Sequence, residues 1–299
     1  MVASSGGFEG GDLPPAALSR LERARRSGVR SSLLSVDAQI GLGAAGFVFV
    51  GEVMGCVVAH LGWQGYVGCG WYGAFGVPAA VTTQIATPGS TAAFAPYVDA
   101  LDSSWRLALE RMLEECRAIG GDGVVGVRLE ERRLDSGARE FVALGTAVTA
   151  RGSVHPGRPF ATALSGTQVA KLLANGWVPA GVVVAIAAGI RHDDLRTRQA
   201  AMWTAGNVEV PGYSDLVARV REATRRLLSR RLSAIGADGA VLTGPWTLDV
   251  HALEVGEGHV DHAAVSSLVA TALCAFAPRH LGVAPASLMI LPLSNQERR

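Results

Sequence analysis

Two places in this 299-residue chain carry side chains that could hold a metal ion. Cys56 and His60 lie four residues apart in an apolar run, and thiolate with imidazole is a donor pair that zinc accepts. On a regular strand the two share a face but stand about 13 Å apart. Zinc needs each donor at about 2.0–2.3 Å. Only a bend at Gly55 or a second subunit would bring both to one ion, so a buried thiol and an isolated imidazole is the plainer reading. His251, His259 and Asp261 form the stronger set. A turn centred near Gly256 places His251 across from Asp261 and diagonal to His259, on one face with Asp249, while His262 points to the other face. Imidazole and carboxylate suit a divalent transition metal such as zinc, nickel or copper. Polar decoration of an exposed hairpin is the plainer reading of these residues too.

A third cluster is cationic. Arg219, Arg221, Arg225, Arg226, Arg230 and Arg231 crowd one face of a helical stretch with little acid beside them. Like charges at i,i+4 repel by a few tenths of a kcal/mol, which points to an acidic partner. Arg221, Arg225 and Arg226 are the candidate docking residues. Intersubunit or solvated contact is preferred to a phosphate ligand or nucleic acid. Glu52 sits within an apolar strand, where burial can shift a carboxyl and mark a general acid or base. Strand-edge exposure or an arginine partner is the more ordinary fate. No nucleophile elbow, H-E-x-x-H, phosphate loop or dinucleotide fingerprint occurs. No reaction is assigned, and the balance leans toward a non-enzyme.

The elements that must position these residues come in pairs. Ala118-Ile119-Gly120-Gly121-Asp122-Gly123-Val124-Val125 recurs as Ala234-Ile235-Gly236-Ala237-Asp238-Gly239-Ala240-Val241, 116 residues later. Earlier, Gly46 matches Gly176 and Gly51 matches Gly181, both 130 residues on, so the first copy carries 14 extra residues within Leu61–Phe94. Each copy reads as a short helix capped by Ser35 or Ser165, then an apolar strand (Phe47–Met54 or Trp177–Ala188). A long helix follows, then a glycine turn and a hairpin. Val98, Leu101, Trp105, Ala108, Met112 and Cys116 make one apolar stripe, and Tyr213, Val217, Val220, Leu227, Leu228 and Leu232 approximate another. The hairpins run Val124–Leu134 to Arg139–Ala150 about Asp135-Ser136-Gly137, and Val241–Val255 to His259–Phe276 about Gly256-Glu257-Gly258.

The organisation expected is therefore a flexible lead and basic helix at 1–34, a first unit at 35–150, a linker at 151–159, a second, divergent unit at 160–277 and a tail at 278–299. The lead helix, Ala16–Arg26, opens after Pro14-Pro15, and its arginines read as a solvated surface. The Gly/aromatic loop within 61–94 and His192–Pro211 read as loops or irregular strands. Ser287–Leu293 reads as a further edge strand. Hydrophobic residues at 49% with 18% charged describe a core-rich folded chain, and a net charge of +1 gives no global pull toward nucleic acid or membrane. Val53–Val81 is long and uncharged, but its seven glycines and Pro78 argue against a membrane span. Four cysteines without a CxxC pair, and no signal-peptide pattern in Met1–Asp12, point to a cytoplasmic protein.

Val50-Gly51-Glu52-Val53-Met54-Gly55, Ile119-Gly120-Gly121-Asp122-Gly123-Val124-Val125-Gly126-Val127 and Gly145-Thr146-Ala147-Val148 resemble the motifs of the YbjQ-like, heavy-metal-binding-domain family. The resemblance covers most of 35–150. It extends more weakly over 160–276, where Ala270-Thr271-Ala272-Leu273 replaces Gly-Thr-Ala-Val. It implies an α+β fold: two tandem copies of a small dodecin-type, helix-on-antiparallel-sheet unit of a kind that forms rings, commonly described as pentameric. Two-unit chains cannot complete one five-place ring with whole chains. Five chains could instead stack two rings, or the second copy could cap the first, and a closed homo-oligomer is expected. The leading functional expectation is a non-enzymatic oligomer that binds a metal ion or small ligand. The rivals are a structural scaffold docking through the Arg-rich helix and an enzyme using intersubunit pockets.

Overall fold

The computed structural model describes residues 13–62, 83–244, 246–254 and 260–276. Helix α1, Pro15–Ser27, starts with proline in its first turn and ends at Gly28, whose φ of 66° is the left-handed conformation glycine adopts without strain. It is docked, contrary to the solvated surface expected of it. Leu21 is buried, Arg20 pairs with the buried carboxylate of Glu115, and Arg25 Nη2 donates to the Ala118 carbonyl at 2.6 Å. That carbonyl closes the helix α3 described below, so a cation there also answers the helix dipole.

Helix α2, Val36–Ala44, is capped by Ser35, whose hydroxyl accepts from Ala38 N at 3.2 Å. Strand β1 is Phe47–His60 and the short β2 is Gln84–Ala86. Helix α3, Ala95–Ala118, buries the whole predicted stripe together with Glu115. It lies so close to β1 that a Cβ on Gly55 would run into the backbone of Ala108 and Met112. Only glycine permits that approach. Strand β3 (Gly123–Arg133) turns through a short 3-10 segment at Asp135–Gly137 into β4 (Ala138–Ala150), as the Asp-Ser-Gly signal implied.

After the exposed segment 151–158 come β5 (Phe160–Thr162) and α4 (Gly166–Ala174), whose capping box joins Ser165 and Gln168. Strand β6 spans Trp177–His192, four residues longer than expected, because Gly189, Ile190, Arg191 and His192 continue the ladder with β9. The stretch read as loop contains helix α5, Leu195–Ala201, capped by Asp194, which accepts from Thr197 N at 2.6 Å. Helix α6 is Pro211–Ala234, and its buried stripe includes Leu216 and Thr224, absent from the expected set. The strand expected over Val241–Val255 is broken into β7 (Gly239–Leu242) and β8 (Thr247–Glu254). Gly244-Pro245 lies at the break, and proline cannot donate to a ladder. Strand β9 is Val260–Ala275.

The strands make two sheets, ordered β1-β4-β3-β5 and β2-β6-β9-β7, with β8 also on β9. Each sheet borrows a short strand from the other half of the chain. β5 pairs parallel with β3, and β2 pairs antiparallel with β6. Helix α3 is wedged between the sheets: Val98 and Met112 share one core cluster with Val53 and Phe141 of the first sheet and Ile186 and Ile190 of the second. Matching local devices occur in both halves. Asp122 N donates to Val148 O at 2.8 Å and its Oδ2 accepts from Ala150 N at 2.7 Å; Asp238 makes the corresponding bonds to Leu273 and Ala275, each at 2.9 Å. β1 is bulged between Phe49 and Gly51, and β6 between Pro179 and Gly181. The loop within 63–82, the turn Gly256-Glu257-Gly258 and the tail Ser287–Leu293 lie outside the described residues.

Candidate functional site

A cleft of about 890 Å³ opens between the two sheets, a volume in the range of small-molecule pockets. Its apolar wall is made by Trp105 of α3, Leu129 of β3, Val184 and Ile186 of β6, and Val265 and Val269 of β9. Alternation along β3, β6 and β9 puts these side chains on the facing surfaces. Trp105 is fixed edge-to-face on Phe141, ring centroids 5.0 Å apart. Arg128, Arg133 and Arg139 stand at the rim with Glu131 and Asp249. Arg139 is clamped: its Nη1 donates to Glu131 at 2.8 Å and its Nη2 to the Tyr97 hydroxyl at 3.2 Å. Burial pulls the Arg139 guanidinium down, but those partners outweigh it and the group is held above its ordinary value. Arg133 reaches across to Asp249 at 2.9 Å, tying β3 to β8 over the cleft. Arg128 is exposed and makes no ion pair among the described residues.

A second polar concentration lies where β6 ends and β9 begins, against α6. His192 Nδ1 is 2.7 Å from Asp261 Oδ1, and Asp261 is completely buried. Burial pushes the Asp261 carboxyl up to about 6, against the opposing pull of His262. Tyr213 donates to Asp193 Oδ2 at 3.1 Å and lies 3.0 Å from His262 Nε2. His262 Nδ1 is 2.8 Å from Asp193 Oδ2 without the alignment of a hydrogen bond. Burial and then Asp193 push the Tyr213 phenol up to about 12. Arg191 completes the network, donating to Asp215 and Asp194 at 3.2 Å each. These groups answer one another and tie β6, β9, α5 and α6 together.

The expected metal residues are not assembled by the described structure. The β8–β9 register sets His251 opposite Ala263 and Asp261 opposite Leu253, so the two are not the facing pair expected. Asp261 faces His192 instead, a partner 69 residues away that hairpin reasoning could not supply. His259 lies outside the described residues. Burial lowers the His251 imidazole from its ordinary value. Cys56 and His60 occupy one unbroken strand, so the bend at Gly55 that could have joined them does not occur. The Cys56 thiol donates to Glu140 at 3.3 Å, and burial together with that carboxylate pushes it up to about 11. It is a protonated thiol at neutral pH. Among the described residues no group of three or more His, Cys, Asp or Glu has the spacing to hold a metal.

Three of the six arginines on this face pair with acids of the chain itself. Arg219 pairs with Asp215 at 2.8 Å, Arg226 with Glu222 at 2.6 Å and Arg231 with Asp102 at 2.6 Å. Arg221 and Arg225 lie over the Trp246 ring at 5.6 and 5.2 Å from its centroid. Glu52 accepts from Ser31 Oγ at 3.4 Å. The acid that sequence reasoning missed is Glu115, which accepts from Met54 N at 2.8 Å as well as pairing with Arg20. Glu115 lies three residues after Met112 of the apolar stripe, and a carboxyl at that spacing was the available signal.

The sequence model of the YbjQ family, described as "putative heavy-metal-binding", matches residues 89–151, which span α3 to β4. The encapsulin nanocompartment protein of Mycobacterium tuberculosis is 30% identical over 244 residues, 78% of this chain and 83% of that protein. A UPF0145 protein of Halobacterium salinarum is 52% identical over 42 residues, 14% of this chain and 40% of that protein. One from Thermotoga maritima is 42% identical over 52 residues, 17% of this chain and 49% of its own length. The chain thus spans about half or less of these two smaller relatives.

Proposed function

This chain belongs to the family of that Mycobacterium tuberculosis protein, and on that premise we propose that it is a non-enzymatic, self-associating cytoplasmic protein that binds a small ligand between its sheets. Its body is read as two tandem YbjQ-like units, residues 35–150 and 160–277, the second divergent. The recurring bonds support this reading: Leu33 N donates to Thr146 Oγ1 at 3.0 Å, and Ala163 N to Thr271 Oγ1 at 3.1 Å. The relative's name describes a nanocompartment, which supports self-association here.

The observation that carries the ligand reading is the inter-sheet cleft, apolar within and arginine-rimmed. Such a lining suits a flat or elongated apolar molecule with one anionic end, the end meeting Arg128 or Arg133. Titration with 8-anilinonaphthalene-1-sulfonate, followed by fluorescence, tests it. Saturable binding that Val265→Trp abolishes and Arg128→Glu weakens several-fold is expected, with both variants keeping the parent circular dichroism and melting temperature. Binding unchanged in both variants would remove the cleft from the reading. The family description keeps a divalent metal as the second reading, with His251, His259 and Asp261 as the candidate donors. Metal analysis of protein purified without a His tag decides that version, and less than about a tenth of an ion per chain rejects it.

A further inference from the structure

The three arginines at the mouth of the cleft are not equivalent, and the difference bears on what the cleft admits. From Arg128 to Arg133, β3 pairs with β4 without interruption. Alternation therefore puts Leu129, Glu131 and Arg133 on one face, and all three line the cleft. Arg128 falls on the other face by the same count and reaches the cleft from its rim. Arg139 is committed to Glu131 and the Tyr97 hydroxyl, and both members of that ion pair are largely shielded from water.

Arg133 is held more loosely. It meets Asp249 through one contact, Nη2 to Oδ2 at 2.9 Å, and the two side chains keep 72% and 52% of their exposure. An ion pair that open to water contributes little. A free carboxylate can instead take the guanidinium fork with both oxygens, which is the stronger geometry. The place is also right. The β8–β9 register sets Asp249 opposite Val265 of the apolar wall, and cross-strand neighbours stand about 5 Å apart. An apolar body lying on Val265 thus has its charged end within reach of Arg133. Asp249 supplies, from the protein itself, the group that such a ligand brings.

We propose that the Arg133–Asp249 pair is an exchangeable latch that selects anions: the ligand is an apolar body with a single carboxylate, which takes Arg133 from Asp249 as it enters. The inference rests on the cleft reading above. It gives the two members of the pair opposite roles, Arg133 attracting the anion and Asp249 competing with it. A neutral molecule of the same shape gains nothing from the exchange. Removing the competitor therefore tightens binding of the anion alone, whereas loss of a merely structural strap moves charged and neutral ligands alike.

Two fluorescent probes with one aromatic body separate these cases. One is 8-anilinonaphthalene-1-sulfonate, its sulfonate standing in for the carboxylate; the other is N-phenyl-1-naphthylamine, which lacks the charge. Asp249→Asn should tighten sulfonate binding by the full chain about two- to fivefold and leave the naphthylamine unchanged. Arg133→Gln should weaken the sulfonate by a similar factor and again spare the neutral probe. Glu130, paired with Arg132 on the outer face of β3, provides the control. Glu130→Gln makes the same change of charge and should alter neither probe, and all three variants should melt near the parent value. Where Val265→Trp abolishes binding, the latch is overturned by any of three results: no sulfonate gain in Asp249→Asn, an equal gain in Glu130→Gln or with the neutral probe, or parent-like sulfonate binding by Arg133→Gln. If neither probe binds the parent, or Val265→Trp leaves binding unchanged, the cleft reading itself falls and takes the latch with it.

Discussion

Arg231 forks onto Asp102: its Nη1 and Nη2 lie 2.6 and 2.8 Å from the two carboxylate oxygens, and Nη1 also donates to the Val184 carbonyl at 2.6 Å. One guanidinium thus joins α6, α3 and β6. A bidentate, partly buried pair is stronger than a surface pair, and losing one partner strands the other. Arg231→Ala and Asp102→Ala should each destabilise by about 1–3 kcal/mol. In a double-mutant cycle their effects should be non-additive by at least about 1 kcal/mol. Urea unfolding of the four proteins measures the coupling. Fully additive losses would show that the fork holds nothing.

Two glycines in neighbouring helices should respond with opposite signs. A Cβ on Gly166 meets the Ala38 backbone and the Leu42 side chain, so Gly166→Ala should push α2 from α4 and cost about 1–3 kcal/mol. Near Gly43 of α2 the closest atom is Arg151 Nη2, 3.9 Å away. Gly43→Ala should stabilise by about 0.5–1 kcal/mol through helix propensity. Thermal melts of the pair decide it, and equal shifts would contradict the close helix contact.

Asp122 should make the fold acid-sensitive. Its burial raises the carboxyl, but the Ala150 amide, the His155 imidazole and the Thr149 hydroxyl outweigh that and hold it below the usual carboxylate range. A depressed folded value means its contribution is present above the unfolded value of about 4 and lost as pH falls through the folded one. Asp122→Asn should cost about 2 kcal/mol at pH 7, and less as the pH is lowered below about 4. A variant deficit that stays constant down to pH 2.5 would rule out the charged role.

Asp261 should act in the opposite sense. Its folded value of about 6 lies above the unfolded one, so the native state holds its proton longer. This group's effect on stability falls as pH rises from about 4 to 6, by roughly 2–3 kcal/mol, and is flat above. Asp261→Asn removes the ionisation. The melting temperature of the variant minus that of the parent should therefore rise across that window and level off above pH 6. A difference that falls over the window would place the carboxylate in a charged, stabilising pair with His192.

Periodicity, caps and turns were legible in the sequence because they are local. Ser35 and Ser165 cap where they should, the α3 stripe is buried entire, and Asp-Ser-Gly turns β3 into β4. Each depends on backbone geometry within a few residues, which residue type nearly dictates. The tertiary structure alone decided which groups meet. Hairpin reckoning gave Asp261 to His251, but the β8–β9 register sets it opposite Leu253 and the β6–β9 pairing brings it to His192. Arg231 and Arg225 looked unpaired because Asp102 is 129 residues from Arg231 in the chain and Trp246 lies beyond β7. The cleft was invisible for the same reason. Its walls come from α3, β3, β6 and β9, and only wedging α3 between two sheets brings Trp105 opposite Val265. Local sequence sets the dihedral angles; long-range packing sets the neighbours, and the candidate chemistry of this protein is a matter of neighbours.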